Sequence, residues 1–467
     1  MESDLGPRDV VAAGLCIGCG GCAVQLDGGR DGAAQGARPR MALDRYGNYL
    51  PVFPTRPVPR STGFAKTCPF SPAAPDEDAL TAELFGDAPA RDAAVGRFRG
   101  AYVGAVAEAA YRERGSSGGI GSWILTELLR RDLVDGVAHV VPADPAREGL
   151  LFRYRISRTQ DEVRAGAKSR YYPVELSGVL SEILAVPGRY AVVGVPCFIK
   201  AIQLLRRENP VLRERVRFTV GLFCGHMKSA RFAESIAWQL GADVEDVAGL
   251  DFRVKDPTRP ANTYTAQITL RDGRTLRNDW WFLADGDWGA GFFQNPACNA
   301  CDDVVAEVAD LSIGDAWVEP YELDGRGTNV VLTRSGLAER LIEEGRAAGR
   351  LALEPVDAAF VARTQAAGLR HRRQGLAYRM TWRRHRHWPP KRVVPGAEGL
   401  TLRRRLVYRI RYGISRWSHR VFLLARVLGW PRLYIAWARA SLTIYQAVTY
   451  SRGRLGRWLD RVLTAKG

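Results

Sequence analysis

Hydrophobic and polar residues follow two different periods through the middle of the chain. Short, continuous apolar runs predict buried β-strands at 101–106, 137–141, 190–195 and 217–223. Segments with an apolar residue every three or four positions predict helices at 121–131, 198–206 and 229–240. Residues 262–277 alternate around Asp272-Gly273, a pair that favours a hairpin turn. The middle of the chain is therefore expected to be an α/β core with a mixed sheet.

The two ends of the chain have other patterns. Residues 1–97 are rich in Gly, Pro and Ala and have little sustained periodicity, which is typical of a small domain folded around a metal. Near the other end, 402–427 and 431–450 each have one apolar face and one basic face, which predicts two amphipathic helices. We expect a metal-binding domain at 1–97, the α/β core at 98–360 and a helical tail at 361–467.

The positive charge of the chain is concentrated in that tail. The net charge is +17, but residues 361–467 contain 25 Lys and Arg and only two acids, Glu398 and Asp460. The tail thus carries about +23 and the remainder about −6. No apolar run reaches 18 residues and the start of the chain is acidic, so neither a membrane-spanning helix nor a signal peptide is expected. These features favour the cytoplasm, where cysteines stay reduced and can bind metals.

The first group of cysteines lies in a glycine-rich motif near the N-terminus. Cys16, Cys19 and Cys22 are spaced three residues apart in CIGCGGC, and Cys68 precedes Pro69. Three cysteines at this spacing can ligate three irons of one 4Fe–4S cluster, and Cys-Pro ends the bacterial ferredoxin motif. In compact two-cluster ferredoxins the last cysteine serves the other cluster, so the assignment of Cys68 stays open. The alternatives are a disulfide framework and a structural zinc site, which more often uses separate cysteine pairs.

The other four cysteines are spread over the predicted core. Cys197 and Cys224 each follow the end of a predicted buried strand, and Cys298 and Cys301 form a C-x2-C pair. Ligands of open α/β sheets gather beyond the carboxyl ends of the strands, so these four residues can meet there. We predict a second 4Fe–4S site from them, with His226 as an alternative ligand. A single buried cysteine can also be no more than a small core residue.

Five short motifs occur in order through the predicted core. They are Gly115-Ser116-Ser117-Gly118-Gly119, Ala167-Lys168-Ser169-Arg170-Tyr171, Gly194-Val195-Pro196-Cys197, Cys298-Asn299-Ala300-Cys301 and Asp310-Leu311-Ser312-Ile313-Gly314-Asp315. Together, over roughly residues 99–335, they resemble one family, the beta subunits of coenzyme F420 (deazaflavin) hydrogenases and dehydrogenases. The resemblance implies FAD in the core and a nearby cluster held by the four core cysteines. Relatives with an added ferredoxin-like part, which residues 1–97 resemble, include plant 7-hydroxymethyl chlorophyll reductase and the ferredoxin-dependent 8-vinyl reductase.

The same resemblance implies that two segments line the flavin. Their candidate contact residues are Ser116, Ser117, Gly118, Gly119, Lys168, Ser169 and Tyr171. Ser-Ser-Gly-Gly before a helix offers hydroxyls and free N–H groups to a pyrophosphate, although such a stretch is more often an ordinary helix start. No G-x-G-x-x-G follows a predicted strand, so a Rossmann-type dinucleotide site is not expected.

The basic tail has several possible partners. It contains tryptophans at 382, 388, 417, 430, 437 and 458. An anionic membrane surface suits arginines mixed with aromatic residues, and an acidic ferredoxin would suit the charge alone. No nucleic-acid motif supports nucleic-acid binding, and packing on the protein's own body is the remaining alternative. Since every predicted ligand precedes residue 360, the tail is expected to be dispensable for the cofactors.

Together these features predict an iron–sulfur flavoprotein oxidoreductase. A ferredoxin-like donor would supply single electrons to two 4Fe–4S clusters and FAD, which pass them to a small organic acceptor. The alternatives are a non-catalytic electron-transfer subunit of a larger complex and a zinc-stabilised interaction protein. The sequence identifies neither the acceptor nor the oligomeric state.

Overall fold

A computed structural model describes residues 5–25, 39–53, 62–108, 110–382 and 388–464. The N-terminal part consists of short helices and two antiparallel hairpins, β1–β2 and β3–β4. Its elements are α1 (Pro7–Ala12), α2 (Gly21–Gln25), β1 (Arg40–Leu43), β2 (Tyr49–Val52), α3 (Thr62–Thr67), α4 (Glu77–Leu84), β3 (Ala90–Asp92) and β4 (Gly96–Phe98).

The central part alternates strands and helices, as the hydrophobic pattern predicts. Its elements up to the middle of the core are β5 (Gly100–Val106), α5 (Tyr111–Arg114), α6 (Ile120–Arg130), β6 (Gly136–Pro142), α7 (Pro145–Glu148), β7 (Phe152–Ser157), α8 (Gln160–Ala165), α9 (Ser177–Ala185), β8 (Tyr190–Gly194), α10 (Pro196–Glu208), α11 (Pro210–Arg215) and β9 (Val216–Leu222). They continue with α12 (Ala230–Gln239), β10 (Val247–Val254), β11 (Thr265–Leu270), β12 (Thr275–Asp279), β13 (Leu311–Asp315), β14 (Asn329–Thr333), α13 (Gly336–Ala347) and β15 (Leu351–Pro355).

Eight of these strands form one mixed sheet in the order β15-β5-β14-β13-β9-β8-β6-β7. The inner strands β13, β9, β8 and β6 are parallel, and the strands on both sides of them are antiparallel. Tyr190, Ala191 and Val192 of β8 are completely buried, as expected for an inner strand covered on both faces. The mixed α/β core is therefore confirmed.

A second, three-stranded sheet accounts for the antiparallel section. β10, β11 and β12 pair in sequence order, and β11 and β12 form the hairpin predicted around Asp272-Gly273. Ile268 and Phe252 of this sheet are fully buried with Phe232 of α12. The small sheet thus has its own hydrophobic core, which the C-terminal helices complete.

The C-terminal part is helical. Its elements are α14 (Ala358–Thr364), α15 (Ala366–Arg372), α16 (Gln374–Trp382), α17 (Leu402–Val427), α18 (Pro431–Tyr450) and α19 (Gly453–Thr464). The helices α17 and α18 have the bounds that the amphipathic pattern predicts. No helix in the described ranges is long and apolar enough to cross a membrane.

The apolar faces of α17 and α18 pack largely against the protein itself. Phe422 and Tyr434 are fully buried in the core of the three-stranded sheet, and Tyr434 donates a hydrogen bond to Asp285 at 2.8 Å. Trp238 of α12 stacks on Phe422 with 4.2 Å between ring centroids. Much of the apolar surface for which the sequence favours an external partner is therefore covered by the body of the protein.

The N-terminal part also shares a hydrophobic core with the α/β part. Ile17 and Phe70 are buried in one cluster with Leu176, which precedes α9, and Ile202 of α10. The backbone N–H of Leu176 donates to the carbonyl of Cys19 at 2.9 Å. The CIGCGGC motif is thereby held against α9 and α10.

Candidate functional site

The first cysteine quartet lines one cavity in the N-terminal part. Cys16, Cys19, Cys22 and Cys68 all contribute to its wall, although Cys68 lies 46 positions after Cys22 in the sequence. Gly20 lies between two of these cysteines with φ of +82°, and a Cβ there would come within 2.8 Å of the backbone nitrogen of Ser177. Only glycine allows the motif this close approach to the start of α9.

Burial and mutual proximity raise the pKa of these thiols. The pKa rises to about 12 for Cys16 and to about 11 for Cys19, and the pKa values of Cys22 and Cys68 also rise, mainly because of burial. Backbone N–H groups oppose this effect at all four sulfur atoms; they include those of Gly18, Gly21, Cys22 and Phe70. Such N–H donors stabilise thiolates and the sulfur ligands of a cluster.

The second quartet meets at the carboxyl ends of β8 and β9, where the strand pattern predicts it. Cys197, Cys224, Cys298 and Cys301 line a second cavity. Cys197 lies in the first turn of α10, whose N-terminal dipole favours a thiolate. The backbone N–H of Met227 donates to the sulfur of Cys298 at 3.3 Å. Burial raises the pKa of Cys301 to about 11, and burial also raises those of Cys197 and Cys224.

His226 does not line this cavity. Its ring is buried and stacks on Trp288, with 4.2 Å between centroids. Neither ring nitrogen has a hydrogen-bond partner within the described part of the chain. Within the same part of the chain, no three His, Cys, Asp or Glu side chains are arranged to hold a single metal ion.

The C-terminal segment completes the second site. Arg372, at the end of α15, lines the cysteine cavity and donates to the carbonyl oxygens of Cys298 at 2.9 Å and Gly225 at 2.7 Å. Arg379 of α16 donates to the carbonyl of Asn299 at 2.9 Å. The peptide that carries the C-x2-C pair is thus held by residues beyond the predicted boundary at 360.

A buried ion pair ties the same segment to the region between the two sites. Lys391 lies 3.0 Å from Asp302, and their side chains are 4% and 1% exposed. The ammonium group also lies 5.6 Å from the centroid of the Phe70 ring. These contacts place part of the predicted tail against the second cysteine site and argue against a tail that is dispensable for the cofactors.

The two cysteine cavities are neighbours. Ile17 and Phe70 contribute to the walls of both, so a single layer of side chains separates them. Tyr154 lies close enough to Cys19 and Cys197 for both sulfur atoms to raise its pKa, which burial already raises. Electron transfer between groups held in the two cavities would therefore cross very little protein.

The two segments predicted to line a flavin also lie side by side. The backbone N–H of Ser169 donates to the hydroxyl of Ser116 at 2.9 Å. The hydroxyl of Ser117 donates to the carbonyl of Thr328 at 3.1 Å, and the N–H of Ile120 donates to Asn329 at 3.2 Å. Several polar groups of the loop are therefore engaged within the protein itself.

Gly118 is required by packing. A Cβ at this position would lie 2.8 Å from both the side-chain oxygen of Asn329 and the carbonyl oxygen of Gly104. Contacts this short force the backbone or its neighbours to shift. A glycine here is explained by the fold without any bound ligand.

Basic side chains surround these two segments. Lys168 lies 3.1 Å from Asp251, and Arg253 lies 2.8 Å from Asp315. Lys255 has no carboxylate within ion-pair distance among the described residues; its ammonium donates to the carbonyls of Ser117 and Arg326 at 2.9 and 2.6 Å. Burial and nearby cations lower the pKa of Lys255 to about 8. The region is suited to an anionic ligand.

An aromatic contact chain links this region to the second cysteine site. Tyr171 lies 4.8 Å from Trp288 between ring centroids, and Trp288 stacks on His226, two residues after Cys224. Sequence reasoning singled out Tyr171 and His226 but missed Trp288, Lys255 and Arg372. No local pattern marks the latter three, because their partners lie far away in the sequence.

Two family models match the chain, and both describe the beta subunit of coenzyme F420 hydrogenase/dehydrogenase. The model of its N-terminal part matches residues 101–181, and the model of its C terminus matches residues 188–359. The two matches together span more than half of the chain. A chain of the F420-reducing NiFe hydrogenase complex of Methanosarcina barkeri is 16% identical with a TM-score of 0.49, over 65% of this chain and 99% of that chain. No curated protein matches the chain.

Proposed function

Because the chain belongs to the coenzyme F420 hydrogenase/dehydrogenase beta-subunit family, we propose that it is an iron–sulfur flavoprotein oxidoreductase. It would accept single electrons from a ferredoxin-like donor and deliver them to a small organic acceptor. Two 4Fe–4S clusters and FAD would carry them. The observation that supports this most strongly is that eight cysteines form two groups of four in adjacent cavities.

The donor groups at both cavities fit iron–sulfur clusters. Four thiols supply one ligand for each iron of a cubane. At the first cavity, backbone N–H groups of Gly18, Gly21 and Phe70 are directed at the sulfur atoms, and at the second cavity Met227 supplies one. Cys68 shares the first cavity with the triplet, so we assign it to the same cluster.

FAD would convert between one-electron and two-electron chemistry, which explains why clusters and flavin belong together. We propose that it binds beside the Ser116–Gly119 and Lys168–Tyr171 segments. The adjacent segments and the cations Lys168, Lys255 and Arg253 favour a phosphate-bearing ligand there. The contact chain from Tyr171 through Trp288 to His226 would connect the flavin to the second cluster.

The composition of the purified protein tests this proposal. Anaerobically isolated protein should contain about eight iron, eight acid-labile sulfide and one FAD per chain. About four iron atoms per chain would contradict the presence of two clusters, and zinc in place of iron would favour the zinc-stabilised interaction protein. Oxidation of a reduced artificial donor by the isolated chain with an added organic acceptor separates an enzyme from a non-catalytic subunit.

A flavin-site variant must leave the fold intact. Lys255→Met removes a cation that lacks a carboxylate partner in the described chain, while Arg259→Met removes a cation paired with Asp279 on β12. We expect the first variant to lose FAD affinity at full iron content and the second to retain it. Equal FAD content in both variants and the parent protein would contradict the flavin assignment.

We also propose that the exposed end of α17 contacts an anionic membrane surface. Trp417 and Leu424 lie on one stripe of the helix and are 55% and 51% exposed. Leu428, which caps the helix and is 57% exposed, and Trp430 follow in the turn. Residues 402–450 contain ten arginines and no acid. Lipid offers both apolar and anionic partners, whereas an acidic protein offers mainly charge.

Vesicle binding tests the membrane proposal. The full chain should sediment with vesicles rich in phosphatidylserine, and salt should weaken this binding without abolishing it. A variant with Trp417, Leu428 and Trp430 changed to Ser should lose binding. A control with the exposed Trp281 and Phe282 changed to Ser should retain it. Equal binding of all three proteins, or none by any of them, would contradict the assignment of this surface.

A further inference from the structure

Arg372 is a buried cation in direct contact with the second cysteine site. It is 2% exposed and contributes to the wall of the cavity that the four cysteines form. Both of its terminal nitrogens are used, one toward the carbonyl of Cys298 and one toward that of Gly225. These two bonds fix the guanidinium group beside the sulfur atoms.

Among the described residues, the charge of Arg372 has no carboxylate partner within ion-pair distance, and its Nε has no hydrogen-bond partner. The charged and titratable groups that face it include His226, His371 and Arg411, and none of them is an acid. A buried cation in such surroundings is unfavourable unless an anion lies close to it. Two acids follow Cys301, but Asp302 is paired with Lys391 at 3.0 Å, and Asp303 accepts hydrogen bonds from the backbone N–H groups of Val305 and Glu307. The four cysteine sulfur atoms are the groups beside Arg372 that can supply negative charge.

The two cysteine sites differ in this respect. At the first quartet, the carboxylate of Glu175 lies against Gly20 of the cysteine motif, where a Cβ would collide with it. At the second, Arg372 itself lines the cysteine cavity, and the neighbouring Asp302 is balanced by Lys391 at 3.0 Å. Net charge around a cluster is one of the main determinants of its reduction potential.

We propose that Arg372 is the fixed counter-charge of the second cluster and gives it a higher reduction potential than the first. Reduction adds one electron to the cluster, and the guanidinium group stabilises the added negative charge. Electrons would then move downhill from the cluster of the N-terminal part to that of the core. This inference rests on the proposed function and adds the direction of electron flow. Arg372 lies outside the family match, which ends at residue 359.

Redox titration of the full chain, followed by electron paramagnetic resonance, tests the inference. Arg372→Gln should keep iron and sulfide content while one cluster becomes harder to reduce. At a fixed potential its ratio of reduced to oxidised form should fall about tenfold, which is about 59 mV for one electron. Arg372→Lys retains the charge and should remain close to the parent protein. Arg379→Gln, which removes a neighbouring buried arginine outside the cavity wall, is the matched control.

The outcomes separate this inference from the proposed function. Iron near four in the unchanged chain would contradict the second cluster itself. Two clusters with unchanged potentials in Arg372→Gln, or the same shift in Arg379→Gln, would overturn only the role of Arg372. If Arg372→Gln does not assemble the second cluster, the Cys16→Ser variant is titrated instead. This variant should lose the first cluster, and the cluster that remains should have the higher of the two reduction potentials measured in the parent protein. If the remaining cluster has the lower potential, the inference is wrong.

Discussion

The buried ion pair between Lys391 and Asp302 offers a direct test of how the C-terminal segment supports the cluster region. Lys391→Met replaces the ammonium with an apolar group of similar length. Among the residues that the structure describes, Asp302 would keep the backbone N–H of Arg392 at 3.2 Å and the guanidinium of the same residue at 3.7 Å. A buried carboxylate would then have lost its closest counter-charge, next to Cys301.

The expected cost follows from the geometry of the pair. Breaking a buried pair by removing one partner costs about 3–5 kcal/mol. The lower value, about 3 kcal/mol, applies because Arg392 remains. The entropy of unfolding is roughly 2.1 cal/mol/K per residue, or about 1 kcal/mol/K for a chain of 467 residues. A loss of about 1 kcal/mol in the free energy of unfolding therefore lowers the unfolding temperature by about 1 °C. The midpoint of thermal unfolding should therefore fall by about 3 °C if the chain unfolds as one unit.

The assay is anaerobic thermal unfolding at a fixed scan rate, followed by circular dichroism and by the visible absorbance of the clusters. Asp302→Asn, which leaves Lys391 unpaired, should cost a similar amount. The double variant should lose clearly less free energy of unfolding than the sum of the losses in the two single variants, because it leaves neither charge unpaired. If the single variants unfold within half a degree of the parent protein, or if their effects simply add, the ion pair does not stabilise this region as argued.

Three further predictions concern the tail, the core and the flavin loop. A chain ending at residue 360 should lose the second cluster but keep the first, as iron content near four would show; eight iron in that chain would contradict the role of the C-terminal segment. Burial raises the pKa of Glu127, but hydrogen bonds from three arginines outweigh it and bring the pKa to about 2. The ionised Glu127 carboxylate contributes fully to the free energy of unfolding above pH 4.5, and this contribution is lost towards pH 2. Glu127→Gln should therefore lower the free energy of unfolding by about 2 kcal/mol at pH 7 and by progressively less below pH 4. Gly118→Val should lower the unfolding temperature even without flavin, and an unchanged temperature in the flavin-free protein would contradict the packing argument.

Much of the fold could be predicted because its strands and helices have clear local patterns. The buried runs of β8 and β9 predict inner strands, and the apolar faces of α17 and α18 predict both helices with their bounds. The partner of those faces could not be predicted, since periodicity reveals that a face is apolar but not what covers it. Phe422 and Tyr434 turned out to be buried against the three-stranded sheet.

The candidate sites divide in the same way. The residue type and spacing of the cysteines are properties of the sequence, and the rule that ligands gather at strand ends brings Cys197 and Cys224 together. Sequence alone therefore determined two groups of four. Only the tertiary structure decided that Ile17 and Phe70 separate two adjacent cavities, and that Arg372 lies beside the second one. Arg372 is 74 positions from Cys298 and 147 from Gly225. Contacts between such distant residues are decided by how whole helices and sheets pack, and no local pattern of side chains records that packing.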